Sequence, residues 1–412
     1  MTLPPIRRVA LLSAHTSPLD QPGRGDAGGM NVYVHQLAKK LAERSIDVSV
    51  FTRATSSQQG EMVATDHGYQ VHHVAAGPFE TLTKEQLPAQ MCAFVRDVLR
   101  TDVSNPFDVV HSHYWISGQI GSVVKERWNT PLVHSMHTMA KVKNAFRAAG
   151  ERAEPESRIR GEEDVVNIAD RLIANSHQEV EEFDEFYGAD SKKISVVHPG
   201  VDLETFRPGD SLATRKELGL PLDSCVVMFA GRIQPLKAPD VLMKAISLMK
   251  QTCRSYTDGL VVVIAGGISG PNANYLTQLE NLAAGLGSTV RFVSPQRQPE
   301  LAKWFVAADV VCMPSYNESF GLVALEAQAC GTPVIASRVG GLTTAVNDGV
   351  TGILIDGHHP SDFANALDEI LRDQELRKTM GEKARAHASS FDWSSTVAGT
   401  LEAYDRARFE RL

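Results

Sequence analysis

Short apolar runs recur through the first half of the chain, at residues 9–12, 48–51, 109–110, 132–133, 172–174 and 194–197, with helically spaced apolar positions between them. Buried parallel strands read as continuous apolar runs of this kind, and a helix between each pair completes a βαβ unit. After His198-Pro199-Gly200-Val201 a second series begins, with runs at 225–230, 260–265, 290–293, 310–313 and 334–336. Residues 202–221, between the two, are rich in Pro, Gly and charge and lack apolar periodicity, as a linker does. The expected fold class is therefore α/β: two doubly wound, Rossmann-like domains, residues 1–200 and 201–392, with a cleft between them. Val397, Leu401 and Tyr404 sit at helical spacing beyond the second series. This last helix, residues 393–412, is expected to pack back on the first domain.

Composition agrees with two compact domains. The 412 residues are too many for one ordinary core, and 43% hydrophobic against 22% charged residues, with 31 Gly and 20 Pro dispersed, excludes disorder and fibrous repeats. A formal net charge of −8 disfavours nucleic acid as a partner, while leaving room for a local basic pocket. Cys92, Cys225, Cys253, Cys312 and Cys330 are widely spaced, odd in number and without a Cys-x-x-Cys. That spacing argues against a disulfide framework or a zinc site and for thiols in a reducing compartment. The apolar run at 9–12 is too short for a membrane span or a secretion signal, so a cytoplasmic protein without stable membrane association is expected.

Residues able to do chemistry cluster where strands end. The first run leads through Ser13-Ala14-His15 to Gly23-Arg24-Gly25-Asp26-Ala27-Gly28-Gly29-Met30-Asn31 and a helix carrying Leu37 and Leu41. Glycines at a strand-to-helix turn let backbone N–H groups approach a phosphate at the positive end of the helix. The turn is not a dinucleotide fingerprint, because Thr52-Arg53 stands where an acidic residue should follow the second strand, and hydride transfer is disfavoured. In the second series the run 226–230 ends in Gly231-Arg232-Ile233-Gln234-Pro235-Leu236-Lys237. Arg232 and Lys237 can converge there on a diphosphate; two solvated surface cations are the plainer alternative, weakened by their place at a strand end.

The most specific segment is Asn317-Glu318-Ser319-Phe320-Gly321-Leu322-Val323-Ala324-Leu325-Glu326. Glu318 falls in a loop and Glu326 two turns into the following helix, so the two carboxylates can reach opposite ends of an extended ligand. Phe320, Gly321 and Leu322 offer N–H groups to an anion at the helix start. Two glutamates on a helix usually mark a solvated face, but the apolar neighbours argue otherwise here. Three of the 14 histidines, His15, His113 and His137, follow strands and are expected at one rim of the cleft, able to bind hydroxyls or anions. No Ser-His-Asp set or His-Glu-x-x-His is present to support hydrolysis.

The runs Gly28-Gly29-Met30-Asn31, Gly231-Arg232 with Lys237, and Glu318 with Glu326 resemble the retaining nucleotide-sugar transferases of the GT-B fold from end to end. His15-Thr16-Ser17-Pro18-Leu19, His111-Ser112-His113-Tyr114-Trp115 and Pro314-Ser315-Tyr316-Asn317-Glu318 are most similar to the branch that glycosylates inositol 3-phosphate in actinobacterial mycothiol synthesis. The resemblance implies UDP-N-acetylglucosamine as donor, held by Gln21, Pro22, Gly29, Arg232, Lys237, Gln296, Glu318, Phe320, Gly321, Leu322 and Glu326. It implies 1D-myo-inositol 3-phosphate as acceptor, held by His15, Asp26, Ala27, Gly28, Gly29, Met30, Asn31, Lys84, Tyr114, Thr138 and Arg158. His137, Arg232, Lys237 and Glu318 would serve catalysis, and His137 would orient the donor sugar. No cofactor is implied for the chemistry, although relatives imply a structural Mg²⁺ at Phe305, Val306, Ala307 and Thr332, and a homodimer. Two alternatives stay open: a related transferase with another substrate, such as a phosphatidylinositol mannosyltransferase or a sucrose-phosphate synthase-like enzyme, and a two-lobed sugar-binding module.

Overall fold

The computed structural model describes residues 3–101, 105–148, 151–251, 259–268, 273–287 and 290–411. Cys253 lies outside them, and Cys92, Cys225, Cys312 and Cys330 are free thiols. The first unit contains β1 (Arg8–Leu12), β2 (Asp47–Arg53), β3 (Met62–Ala64), β4 (Gln70–Val74), β5 (Val109–His113), β6 (Leu132–Ser135), β7 (Arg171–Ala174) and β8 (Ile194–Val196). Its helices are α1 (Gly29–Ala42), α2 (Met91–Val98), α3 (Trp115–Trp128), α4 (Ala140–Ala145), α5 (Glu156–Ile168) and α6 (His177–Tyr187). Among the described residues these strands form one sheet in the order β3-β4-β2-β1-β5-β6-β7-β8, parallel except for the β3–β4 pair.

The second unit contains β9 (Val226–Ala230), β10 (Val261–Ala265), β11 (Val290–Val293), β12 (Val310–Met313), β13 (Val334–Ser337) and β14 (Gly352–Ile355), in the order β11-β10-β9-β12-β13-β14. Its helices are α7 (Ser211–Glu217), α8 (Pro239–Gln251), α9 (Ala273–Leu286), α10 (Gln298–Ala307), α11 (Leu322–Ala329), α12 (Leu342–Ala345), α13 (Pro360–Arg372) and α14 (Gln374–Ala388). A last helix, α15 (Trp393–Phe409), leaves this unit and lies on the first sheet.

Central strands such as Val226–Ala230 and Val261–Ala265 are buried along their whole length, which is why they read as unbroken apolar runs. Each sheet carries apolar clusters on both faces. On one face of the first sheet, Val9, Leu11 and Val133 pack with Leu37 of α1 and with Trp393, Val397, Ala403 and Tyr404 of α15. The chain crosses between the units twice, side by side: Val201 N–H donates to Phe391 O at 2.8 Å, and Val201 bridges Asp392. A Cβ at Gly200 would come within 2.5 Å of Trp393 N, so only glycine lets the two crossings lie this close. Asp392 then caps α15 by accepting from Ser395 N–H at 2.8 Å. Among the described residues no helix is long and apolar enough to cross a membrane.

Candidate active site

In the first sheet the strand order reverses between β1 and β5, and in the second between β9 and β12. Open α/β sheets bind ligands at these switch points, beyond the strand carboxyl ends. Here the two switch points face each other. Segments leaving β1, β5, β9 and β12 line one cavity of about 320 Å³ between the units. The starts of α1 and α11 meet across it: a Cβ built on Gly29 would lie 3.5 Å from Leu322 Cδ1. First-turn N–H groups have no partner inside their helix, so two positive helix ends converge on one anion site. Gly321, at φ +94°, makes the sharp entry into α11, and a Cβ there would press on Leu342 Cδ2 at 2.7 Å.

On the second unit's side, the turn after β9 places Lys237 in an ion pair with Glu318, and Arg232 stands 4.0 Å from Asp26 of the first unit. The Glu318 loop is held by Gly341 N–H, which donates to Glu318 O at 2.9 Å. α11 starts at Leu322, so Glu326 is one turn into the helix rather than two. Burial pushes its carboxyl up to about 8; a hydrogen bond from Gln298 opposes the shift and the charge of Asp202 adds to it. A neutral carboxyl therefore stands in the cavity wall.

On the first unit's side, Lys84 pairs with Asp26 at 2.9 Å. Burial alone would raise the Asp26 carboxyl, but Lys84 and Arg232 outweigh it and hold it below its ordinary value. His15 packs on Tyr114, with ring centroids 4.4 Å apart, and burial holds its imidazole neutral, down to about 3. The Arg158 guanidinium lies 5.0 Å from the centre of the Tyr114 ring. His137 adopts φ +60°, a strained conformation for a residue with a side chain, and its carbonyl accepts a hydrogen bond from the Ser319 hydroxyl across the cleft.

Most of the expected site residues do line this cavity: His15, Pro22, Asp26, Gly28, Gly29, Met30, Lys84, Tyr114, His137, Thr138, Arg158, Arg232, Lys237, Gln296, Glu318, Phe320, Gly321, Leu322 and Glu326. Others stand behind it. Gln21 donates its amide to Pro295 O at 2.9 Å and so ties the two units together. Ala27 is buried, and Asn31 is spent on the loop, accepting from Gly28 N–H at 2.9 Å and donating to Ser17 O at 2.5 Å. His113 is fully buried behind His137 and does not reach the cleft. Arg158 reaches the cavity wall, but its donors already serve Glu162 at 2.7 Å, Glu154 at 2.8 Å and the Thr138 hydroxyl at 3.0 Å. It is first a structural hub, which leaves Lys84 as the more available cation for an acceptor anion.

The comparisons agree with this geometry. Residues 28–200 match the family described as Glycosyl transferase 4-like domain, and residues 210–387 match Glycosyl transferases group 1. Over 408 residues the chain is 54% identical to the D-inositol 3-phosphate glycosyltransferase of Kribbella flavida, covering 98% of this chain and 96% of that one. It is 53% identical to the protein of the same name from Nocardioides sp., covering 98% and 91%. The chain belongs to the D-inositol 3-phosphate glycosyltransferase family. Among solved structures, sucrose-phosphate synthase from Thermosynechococcus elongatus superposes on this glycosyltransferase with a TM-score of 0.88 at 30% identity, covering 97% and 98%. Anabaena HepE in complex with UDP-glucose shares the fold, with a TM-score of 0.76 at 23% identity over 96% of this chain and 99% of that one. The architecture is thus GT-B.

The transferase's residues do not fit a resident Mg²⁺ at the position implied by resemblance. Phe305 O accepts the Thr332 hydroxyl at 2.7 Å, and Ala307 O accepts Arg215 Nε at 2.8 Å. Arg215 is in turn paired with Asp309 at 2.8 Å. A guanidinium already occupies the Ala307 carbonyl and a hydroxyl the Phe305 carbonyl, and the set of Phe305, Val306, Ala307 and Thr332 contributes no carboxylate to hold a hard cation. Among the described residues no group of three His, Cys, Asp or Glu is placed to bind a metal.

Several cavity residues went unnoticed in the sequence. Tyr33, Gln234, Gln298, Ser319 and Asn175 also line it. Asn175 directly follows β7 of the first sheet and Gln298 starts α10 just after β11 of the second, so their positions past strand ends were the available signal. Tyr33 carried none, because it sits among the apolar positions of α1.

Proposed function

We propose that the chain transfers N-acetylglucosamine from UDP-N-acetylglucosamine to 1D-myo-inositol 3-phosphate, with retention at the anomeric carbon, as the first glycosylation of mycothiol synthesis in the cytoplasm. The observation that carries this reading is a cavity lined by cations from both units, Lys84 from the first and Arg232 and Lys237 from the second, in a chain more than half identical to proteins named for this reaction. Arg232, Lys237 and the N-termini of α1 and α11 suit a diphosphate. Beside them, across the Asp26 carboxylate that Lys84 and Arg232 share, Lys84, Thr138 and Tyr114 suit a phosphate monoester, with Arg158 fixing the wall. Glu326 and Gln296 would take the nucleoside, and Glu318 and His137 the donor sugar.

The carboxylates nearest the expected sugar are poorly suited to attack it. Glu318 is tied to Lys237 and Asp26 to Lys84. Substitution on one face, with the departing diphosphate taking the acceptor proton, fits this arrangement better than a covalent glycosyl-enzyme. Arg232, Lys237 and the two helix ends would then stabilise the leaving UDP, each donor worth a few kcal/mol of the barrier.

The test is UDP release. Purified protein with UDP-N-acetylglucosamine and inositol 3-phosphate should release UDP, while free inositol as acceptor should release no UDP and GDP-mannose as donor should release no GDP. Equal turnover with free inositol would remove the phosphate site. The likeness to sucrose-phosphate synthase makes fructose 6-phosphate the sharpest competing acceptor, and faster release with it would overturn the assignment.

A further inference from the structure

The strands β5 and β6 end in an unusual run of buried imidazoles. His111 Nδ1 meets the Tyr404 hydroxyl of α15 at 2.8 Å, and its Nε2 meets Ser135 Oγ at 3.0 Å. The ring of His113 lies 4.1 Å from that of His111, and His113 Nδ1 is 3.0 Å from His137 Nε2. His137 alone of these three lines the cavity. Among the described residues its Nδ1 has no hydrogen-bond partner and, unlike His113 Nε2, is not among the sealed nitrogens.

Burial pushes His113 well below its ordinary range and His137 to about 3, so both rings are neutral and a single proton lies between them. Two arrangements are possible. If His137 donates from Nε2, His113 must carry its own proton on its Nε2, which is sealed from solvent and has no partner. A buried N–H without an acceptor is among the rarest features of folded proteins. If His113 donates from Nδ1, its Nε2 is left as a bare acceptor, the milder defect, and His137 must carry its proton on Nδ1.

We propose that His113 is a positioning residue: its Nδ1–H donates to His137 Nε2 and so holds His137 in the tautomer that presents Nδ1–H, a hydrogen-bond donor, to the donor sugar. The pairing stands on the free protein's geometry; only its catalytic consequence rests on the donor site proposed above. The strained φ of His137 and the Ser319 bond to its carbonyl fix the backbone, and His113 fixes the ring. The buried imidazole ladder back to α15 explains why the His113 ring cannot swing away.

The experiment uses the full chain with ¹⁵N-labelled histidine. Long-range ¹⁵N–¹H correlations report which nitrogen is protonated, and the His137 signal is identified by its loss in His137→Gln. Wild type should show His137 protonated on Nδ1. His113→Asn, whose amide N–H can replace the donor, should keep that tautomer and stay within about threefold of wild-type kcat. His113→Leu should shift His137 toward the Nε2-protonated form and lower kcat by about tenfold or more, with little change in acceptor KM. Protonation on Nε2 in the wild type, or a His137 tautomer unmoved by His113→Leu, overturns the proposal. A tautomer that shifts while turnover is unchanged sustains the positioning role and overturns instead the placement of His137 at the donor sugar.

Discussion

If Glu326 holds the donor ribose, donor binding should release a proton. Vicinal hydroxyls both donate to a carboxylate, so the charged form is the binding form, whereas burial keeps the carboxyl of the free protein neutral up to about pH 8. The competent fraction is set by the distance from that value. At pH 7 about one site in eleven is ionised, which weakens the apparent affinity about elevenfold, or about 1.4 kcal/mol. At pH 6 the factor is about 100 and at pH 8 about two, so the donor dissociation constant should fall about fiftyfold across that window and flatten above it. Calorimetry with UDP-N-acetylglucosamine and no acceptor isolates the effect, since its diphosphate diester does not titrate in the neutral range. Repeating the titration in buffers of different ionisation enthalpy should count about 0.9 proton released per donor at pH 7. Glu326→Gln should bind with no such slope. An affinity independent of pH in the wild type, or the same slope in Glu326→Gln, would refute the reasoning.

Three further outcomes are expected. Lys84→Met removes a half-exposed cation whose pairing with Asp26 is cheap to lose, so acceptor KM should rise about tenfold or more while donor KM changes by less than about twofold; equal effects on both, in steady-state kinetics, would count against an acceptor phosphate there. Arg158→Ala strands the fully buried Glu162 carboxylate, and should cost about 3–5 kcal/mol in denaturant unfolding; a loss below about 1 kcal/mol would show that the hub is not needed. Glu179 is buried and its carboxyl is raised to about 8 from an unfolded value of 4.5, so its stabilising contribution is complete below the lower value and lost as pH rises through the higher one. Wild type should therefore lose stability between about pH 5 and 8 more steeply than Glu179→Gln, and parallel melting curves would remove Glu179 as the cause.

Much of the fold was legible because its central strands are buried on both faces and leave apolar runs in the sequence. Legibility failed where burial is polar. β5 continues from Val109-Val110 through His111, Ser112 and His113, all buried, and their hydrogen bonds to Tyr404, Ser135 and His134 make a strand out of residues that read as a loop. β3, β4 and β14 escaped for another reason: β3 is a three-residue edge strand, β4 is Gln-Val-His-His-Val with only two buried positions, and β14 begins with Gly352. For the site, turns at strand ends pointed to the cleft with little ambiguity. Within those turns the sequence cannot separate residues that line the cavity from residues spent elsewhere: Ala27 is buried, Asn31 bonds its own loop and Gln21 reaches Pro295 of the second unit. Arg158 is the same problem in a helix. Its partners Glu154 and Glu162 are spaced as an ordinary solvated ion pair would be, and only the fold reveals that Arg158 and Glu162 are buried and Glu154 half-buried.

The return of α15 to the first sheet has a consequence for how this chain is made. Residues 393–409 emerge from the ribosome after the whole second unit, yet Trp393, Val397 and Tyr404 complete a core begun by Val9 and Leu11. The unit synthesised first can finish folding only last, and until then the apolar face awaiting α15, with the His111 imidazole beneath it, is open to solvent or to a chaperone. The second unit, whose contacts are all closer in sequence, is free to fold in the interval. Damage to the end of the chain should therefore be felt in the first unit, whose first strand was translated almost four hundred residues earlier.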